Sequence, residues 1–240
     1  MEYKFERREL KYHVKYERLD ALRQRFLNHM AYDPFCRGRQ DNRYSVRSIY
    51  FDTSNYLFYY EKVEGLKVRK KLRVRTYNLS SDNVPAFLEI KRKYGNIIYK
   101  ERAVVALKEV PKLTNGANLQ LLNGNADFSQ KSALDKFIYL TKRLNLKPQS
   151  LITYEREAFV GIEDPALRVT FDLNVRSYPE PAFEEIYRED DLREIEERFF
   201  VLEIKLNSVM PGWTRGIIRD FNLHQQSISK YCNGIDVWRN

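Results

Sequence analysis

At 240 residues, 43% of them hydrophobic and 14% aromatic, the chain can bury a sizeable core, which excludes intrinsic disorder. Its 42 Lys and Arg outnumber 33 Asp and Glu, and a net charge of +9 points to an anionic partner: nucleic acid, nucleotide, inorganic phosphate or a membrane surface. Cys36 and Cys232, without metal-type spacing, make no disulfide framework and point to a reduced, cytoplasmic chain. The polar start Met1–Arg8 argues against a signal peptide, and no apolar run reaches the length of a membrane span, although docking on a membrane protein stays open.

In chain order, residues 4–14 read as a strand with Arg7, Glu9, Lys11 and His13 on one face and Leu10, Tyr12 and Val14 on the other. Leu19, Leu22, Phe26 and Met30 recur at helical spacing, and Asp33-Pro34 ends that helix. Arg43 to Asp52 is strand-like. Asn55 to Glu64 predicts a short aromatic helix that Gly65 stops. From Lys67 to Arg75 every second residue is basic (Lys67, Arg69, Lys71, Arg73, Arg75) and three of the four between are apolar, so this strand carries a ladder of cations on one face. Pro85 opens the next strand, and Tyr94-Gly95-Asn96 turns it into another over residues 97–107. Residues 111–130 are polar and read as a loop with short helical pieces. Ala133 to Leu144 predicts an amphipathic helix, closed by Asn145 to Pro148, and a strand runs from Leu151 to Val160. Residues 167–176 alternate without a break, Leu167 to Val175 on one face and Arg168 to Arg176 on the other. An acidic connecting segment, 184–197, precedes the strand Phe199–Leu206. Two helical pieces close the chain, Gly212–Phe221 and Ser227–Cys232, the second stopped by Gly234. With no repeat and no linker, the expectation is one domain over residues 1–240, of α+β class.

Three strands repeat one phrase: Glu9-Leu10-Lys11, Glu89-Ile90-Lys91 and Glu203-Ile204-Lys205. Surface ion pairing explains any one of them. It gives no reason for cations to outnumber carboxylates so heavily across all these faces together. Several strands with cationic faces predict a charged interior that holds water and polyanion, with Arg offering bidentate bonds to phosphate oxygens and Lys a point charge. A few inward carboxylates would hold a divalent metal. No Gly-rich phosphate loop is present, so side chains must hold the phosphates; no Ser-His-Asp or Cys-His arrangement stands out, and His13, His29 and His224, far apart in sequence, read as helix-surface or strand-edge residues.

These residues resemble the triphosphate tunnel metalloenzymes and, within them, the catalytic domain of the vacuolar transporter chaperone proteins, which are polyphosphate polymerases. The resemblance runs over nearly the whole chain. It rests on residues 5–12 (FERRELKY), 48–53 (SIYFDT), 72–77 (LRVRTY), 88–93 (LEIKRK), 154–159 (YEREAF), 202–205 (LEIK) and 229–234 (SKYCNG). It implies an antiparallel barrel of about eight strands enclosing a tunnel, with helices packed outside. It implies phosphate contacts from Lys11, Arg73, Arg75, Lys91, Lys100, Arg156 and Lys230, with Lys205 among the substrate contacts and Glu203 as metal ligand. Lys62 stands where the family usually has Arg. Arg7 replaces the first glutamate of the superfamily's opening strand, which removes a metal ligand and argues against a two-metal hydrolase.

The implied activity transfers the terminal phosphoryl of ATP to a growing polyphosphate chain, with Mn2+ or Mg2+ as cofactor. ATP, polyphosphate, inorganic phosphate and pyrophosphate would be its partners, with a membrane-protein partner to translocate the polymer and no nucleic acid. Such a chain would be cytoplasmic, at most peripheral to a membrane. Two alternatives stay open: an inorganic tri- or polyphosphatase, with Glu9, Glu89 or Asp172 orienting water, and a catalytically silent polyphosphate- or nucleotide-binding module.

Overall fold

The computed structural model describes residues 8–78, 84–95, 97–114, 127–207 and 209–239. The expected strand residues 4–7, with Arg7, the turn residue Asn96 and most of the polar stretch 111–130 lie outside the described residues. The strands are β1 (Arg8–Lys15), β2 (Met30–Tyr32), β3 (Tyr44–Asp52), β4 (Val68–Tyr77), β5 (Pro85–Tyr94), β6 (Ile97–Ala106), β7 (Lys147–Gly161), β8 (Arg168–Pro179), β9 (Arg193–Glu194) and β10 (Phe199–Leu206). The helices are α1 (Leu19–Leu27), α2 (Leu57–Val63), α3 (Val110–Thr114), α4 (Phe128–Arg143), α5 (Gly212–Asp220) and α6 (Lys230–Arg239).

The strands follow the order β1-β10-β8-β7-β3-β4-β5-β6, with β2 on β7 and β9 on β8. The pairings β1–β10, β3–β4, β4–β5 and β5–β6 are antiparallel. The expected antiparallel sheet is therefore present, with ten strands instead of about eight. The order is an open path from β1 to β6, so the closure expected of a barrel is no part of the hydrogen-bonded ladder among the described residues.

Several helix boundaries correct the sequence reading: α4 starts at Phe128, before the expected Ala133, and α6 at Lys230, after the expected Ser227. Met30 sits in β2, because α1 ends after Leu27 and the chain turns to pair with β7; its helical spacing reflects burial in the same core from a strand. Gly234 does not stop the last helix, which runs on to Arg239, since a glycine inside a buried helix face costs only about 1 kcal/mol. Gly65 acts as expected: at φ +71° it takes the left-handed turn that ends α2.

The chain divides into two compact units. The first comprises Met1–Ser45, Tyr154–Val175 and Glu194–Ser229; the second Val46–Thr153, Arg176–Arg193 and Lys230–Asn240. Each has its own core. In the first, Leu22 and Phe26 of α1 and Ile217 of α5 pack on Phe159, Phe171 and Phe200, with the Phe171 ring 5.1 Å from both other strand rings. In the second, Ala133, Leu134 and Phe137 of α4 cover Leu72, Val74, Leu88, Ile90 and Ala103, the apolar faces of β4, β5 and β6. Asp127 starts α4 by accepting the Gln130 N–H at 2.7 Å. Burial of these large side chains contributes roughly 1.5–3 kcal/mol each and fixes which face of every strand turns away from the core. No helix among the described residues is long and apolar enough to cross a membrane.

Candidate functional site

The ionisable residues that sequence periodicity puts opposite the core form two groups, one in each unit.

In the second unit the group is built on the face of β4, β5 and β6 opposite α4. Register sets Arg73 beside Glu89 and Glu89 beside Arg102, and the next row aligns Lys71, Lys91 and Lys100. Glu89 is almost wholly buried. Its carboxylate accepts from Arg73 Nε at 2.7 Å and Nη2 at 2.6 Å, from Lys100 Nζ at 2.7 Å and from Arg102 Nε at 2.9 Å. Burial opposes its ionisation, but Arg73, Arg75 and Lys100 hold it far below the usual carboxylate range. One carboxylate thus stands against Arg73, Lys100 and Arg102 directly, with Arg75, Lys71 and Lys91 beside them. Like charges directly opposite one another destabilise a sheet, so the row of three lysines is a cost that an anion would relieve.

Tyr50 on β3 completes this group. Its hydroxyl accepts from Arg73 Nη1 at 2.8 Å, and its ring stacks on Tyr231 of α6 at 5.1 Å. Burial pushes the phenol up, yet Arg73, Arg75 and Lys71 together outweigh it and bring Tyr50 down to about 7. Arg75 donates to Ser48 Oγ at 3.1 Å. Tyr231 donates to Asp52 at 2.7 Å, and Asp52 also takes the Phe58 and Tyr59 N–H groups at the start of α2. That one carboxylate pins α2, which bears Lys62, and α6, which opens with Lys230. Burial depresses Lys93, as do Arg69, Lys91 and Lys62, so Lys62 belongs to the same field. Lys100 falls to about 8, chiefly from burial, against the pull of Glu89.

The first unit is balanced. Lys11 pairs with Glu9 at 2.9 Å, Lys205 with Glu203 at 2.8 Å, and Arg156 holds Asp172 through two bonds of 2.6 and 2.8 Å. Three cations meet three carboxylates. Register puts Lys11 opposite Glu203, and Glu203 opposite Thr170. Burial lowers Lys205, partly restored by Glu203. It would lower Arg156 too, but Asp172 raises that guanidinium well above its usual range.

Among the described residues no three His, Cys, Asp or Glu gather as a ready-made metal nest. Glu203 is nearly buried, and the Thr170 hydroxyl opposite it is buried without a hydrogen-bond partner. This donor set fits a hard divalent ion only if phosphate oxygens or water complete its shell.

The structure therefore brings Arg73, Arg75, Lys91 and Lys100 together, with Lys62 in their field and Lys230 leading into the helix stacked on Tyr50. It groups Lys11, Arg156, Glu203 and Lys205 separately, in the first unit. Sequence reasoning had Lys71 in the cation ladder of β4 but missed Arg102, Tyr50 and Tyr231 as members of the site. Arg102 was detectable, lying two residues from Lys100 on the same strand face. Tyr231 had no such signal, because only the fold stacks it on Tyr50.

A family model described as the VTC domain matches residues 6–239. The chain belongs to the VTC domain family. It is 27% identical over 203 residues to the vacuolar transporter chaperone complex subunit 4 of Trypanosoma cruzi (strain CL Brener), a stretch covering 72% of this chain. The VTC chain spans about a quarter of that relative's length, 25%. Among solved structures it resembles a putative adenylyl cyclase, HpAC1, from Hippeastrum, described as having a dominant triphosphatase activity. That match has a TM-score of 0.52 and 12% identity, and covers 96% of this chain and 94% of the other. The likeness is one of fold alone: among the described residues the sheet resembles a triphosphate tunnel fold without the closed barrel that the sequence resemblance implied.

Proposed function

We propose that this VTC domain is a polyphosphate polymerase, which transfers the terminal phosphoryl of ATP to the end of a polyphosphate chain. The carrying observation is the surplus of cations around Glu89 on β4, β5 and β6, built into a member of the VTC family. In this reading Arg73 and Arg75 grip phosphate oxygens, Lys91, Lys100, Lys62 and Lys230 hold neighbouring phosphates, and Lys11, Arg156 and Lys205 supply a second, balanced set. Residues 1–240 act, in this reading, as one domain.

A terminal oxygen of the polyphosphate attacks the γ-phosphorus of ATP, the bond from that phosphorus to the β-phosphate oxygen breaks, and ADP leaves. The attacking oxygen is already ionised, so the chain needs no strong base. Positioning and charge neutralisation suffice. A divalent metal, Mn2+ or Mg2+, would be held by Glu203 and would neutralise phosphate oxygens. The domain would work in the cytoplasm, where ATP is supplied, with a membrane-protein partner to take the polymer.

Hydrolysis is the second reading, favoured by the triphosphatase activity described for the Hippeastrum protein of like fold. Against it, each carboxylate that could orient a water is held by a cation: Glu9 by Lys11, Glu89 by Arg73, Lys100 and Arg102, and Asp172 by Arg156.

Incubation with ATP, Mn2+ and a short polyphosphate primer separates the readings: polymer growth is expected, and orthophosphate as the sole product overturns the proposal. Replacing both Arg73 and Arg75 with Ala should weaken tripolyphosphate binding by about a hundredfold or more in calorimetry, from two charge-assisted contacts. Unchanged affinity would remove both from the site.

A further inference from the structure

We propose that the end of the β5–β6 hairpin, with the segment joining α2 to β4, is a docking surface for bilayers that carry anionic headgroups. Leu66, Val68, Tyr94, Ile97, Ile98 and Tyr99 are each between 40% and 66% exposed, an apolar concentration that solvent alone does not favour. They are contiguous. Register places Val68, Tyr94 and Ile97 in one row across three strands, and the Gly95 N–H, at φ +57°, ties the turn to the Lys67 carbonyl at 2.9 Å.

Cations stand directly behind this row. Arg69 and Lys93 lie one residue inward, about 3 Å at strand spacing; Lys70 and Arg92, two residues inward at about 7 Å, are paired with Glu61 and Glu101. Apolar side chains at the end with cations a few ångströms behind match a bilayer interface, where acyl chains give way to anionic headgroups. Tyrosines suit that boundary, having an apolar ring and a polar tip.

Two arguments select the bilayer over a protein. Successive residues of a strand point to opposite faces, so Ile97 and Tyr99 lie on one face of the hairpin and Ile98 on the other. A rigid partner would cover one face; a fluid surface can take both. A second copy of this chain would bring the same cations against themselves.

The test is co-flotation of the whole chain with phosphatidylcholine vesicles, with and without phosphatidylserine. The protein should float with phosphatidylserine vesicles only, and less so as salt rises. A Tyr94→Ser, Ile97→Ser double variant keeps every cation and removes exposed side chains alone. It should lose about tenfold or more in partitioning, while its tripolyphosphate affinity, which reports an intact fold, stays unchanged. Absence of flotation with phosphatidylserine, or equal flotation of the double variant, overturns the proposal. Self-association that the double variant abolishes assigns the surface to a second copy and overturns it as well. So does binding to soluble polyglutamate, lost in the double variant, by a protein that ignores vesicles.

Discussion

Tyr50 is an acid among bases, and its proton should be coupled to ligand. Its phenol sits near 7 where 10.0 is ordinary, so between those values the folded chain carries a phenolate that the unfolded chain lacks. The stability this contributes is complete above the unfolded value and is lost as pH falls through about 7. A polyphosphate bound at Arg73, as proposed, would compete with the phenolate for that guanidinium. Tripolyphosphate affinity should therefore fall as pH rises through about 7, with proton uptake on binding, measurable by calorimetry in buffers of different ionisation enthalpy. Tyr50→Phe should flatten this component of the profile; an unchanged profile would put the linked proton elsewhere. Glu89 makes the opposite trade. Glu89→Gln leaves Arg73, Lys100 and Arg102 without their anion and should destabilise the empty protein by about 2 kcal/mol, less than for a fully buried pair, because Lys100 and Arg102 are 44% and 40% exposed. Polyphosphate should then bind about tenfold more tightly and restore the melting temperature. Weaker binding in that variant would mean that Glu89 orients the cations more than it competes with the ligand.

At the scale of strands, Lys100 makes the empty sheet acid-sensitive in an unusual direction. Burial and neighbouring cations depress Lys100 to about 8, so its charged form is penalised in the folded state below that value and relieved as pH rises above it. Tyr50 works in the same direction. Thermal stability of the ligand-free protein should rise from pH 7 to about 9, and the stabilisation conferred by tripolyphosphate should shrink over the same range. A stability maximum below pH 7 would contradict this.

These strands were legible in the sequence because period two survives any fold, and β4, β8 and β10 show it plainly. What stands beside a strand is not written in its periodicity. Glu9-Leu10-Lys11, Glu89-Ile90-Lys91 and Glu203-Ile204-Lys205 read alike, yet Glu9 and Glu203 pair with the lysine two residues on, while Glu89 is claimed by Arg73, Lys100 and Arg102 from flanking strands. Only the register distinguishes a balanced group from a cationic one. Helix ends were the least legible, since Met30 and Gly234 carry local signals that tertiary burial overrides.

On the scale of the whole chain, the two compact units are interleaved in sequence. The chain passes from one to the other at Ser45, Thr153, Val175, Arg193 and Ser229, so neither unit is a contiguous fragment. A single cooperative unfolding transition is expected in calorimetry, as for one domain; two resolved transitions would make the units independent. Finally, among the described residues the strand order leaves β6 with a single sheet neighbour, β5. A strand edge is a template on which a foreign strand can grow, and proteins commonly guard such edges with charge. Lys100 and Arg102 provide that guard as long as they remain cationic. A long polyanion that neutralises them would disarm it, so the protein should be most prone to cloud its solution when mixed with polyphosphate, and light scattering should rise with the polymer's length.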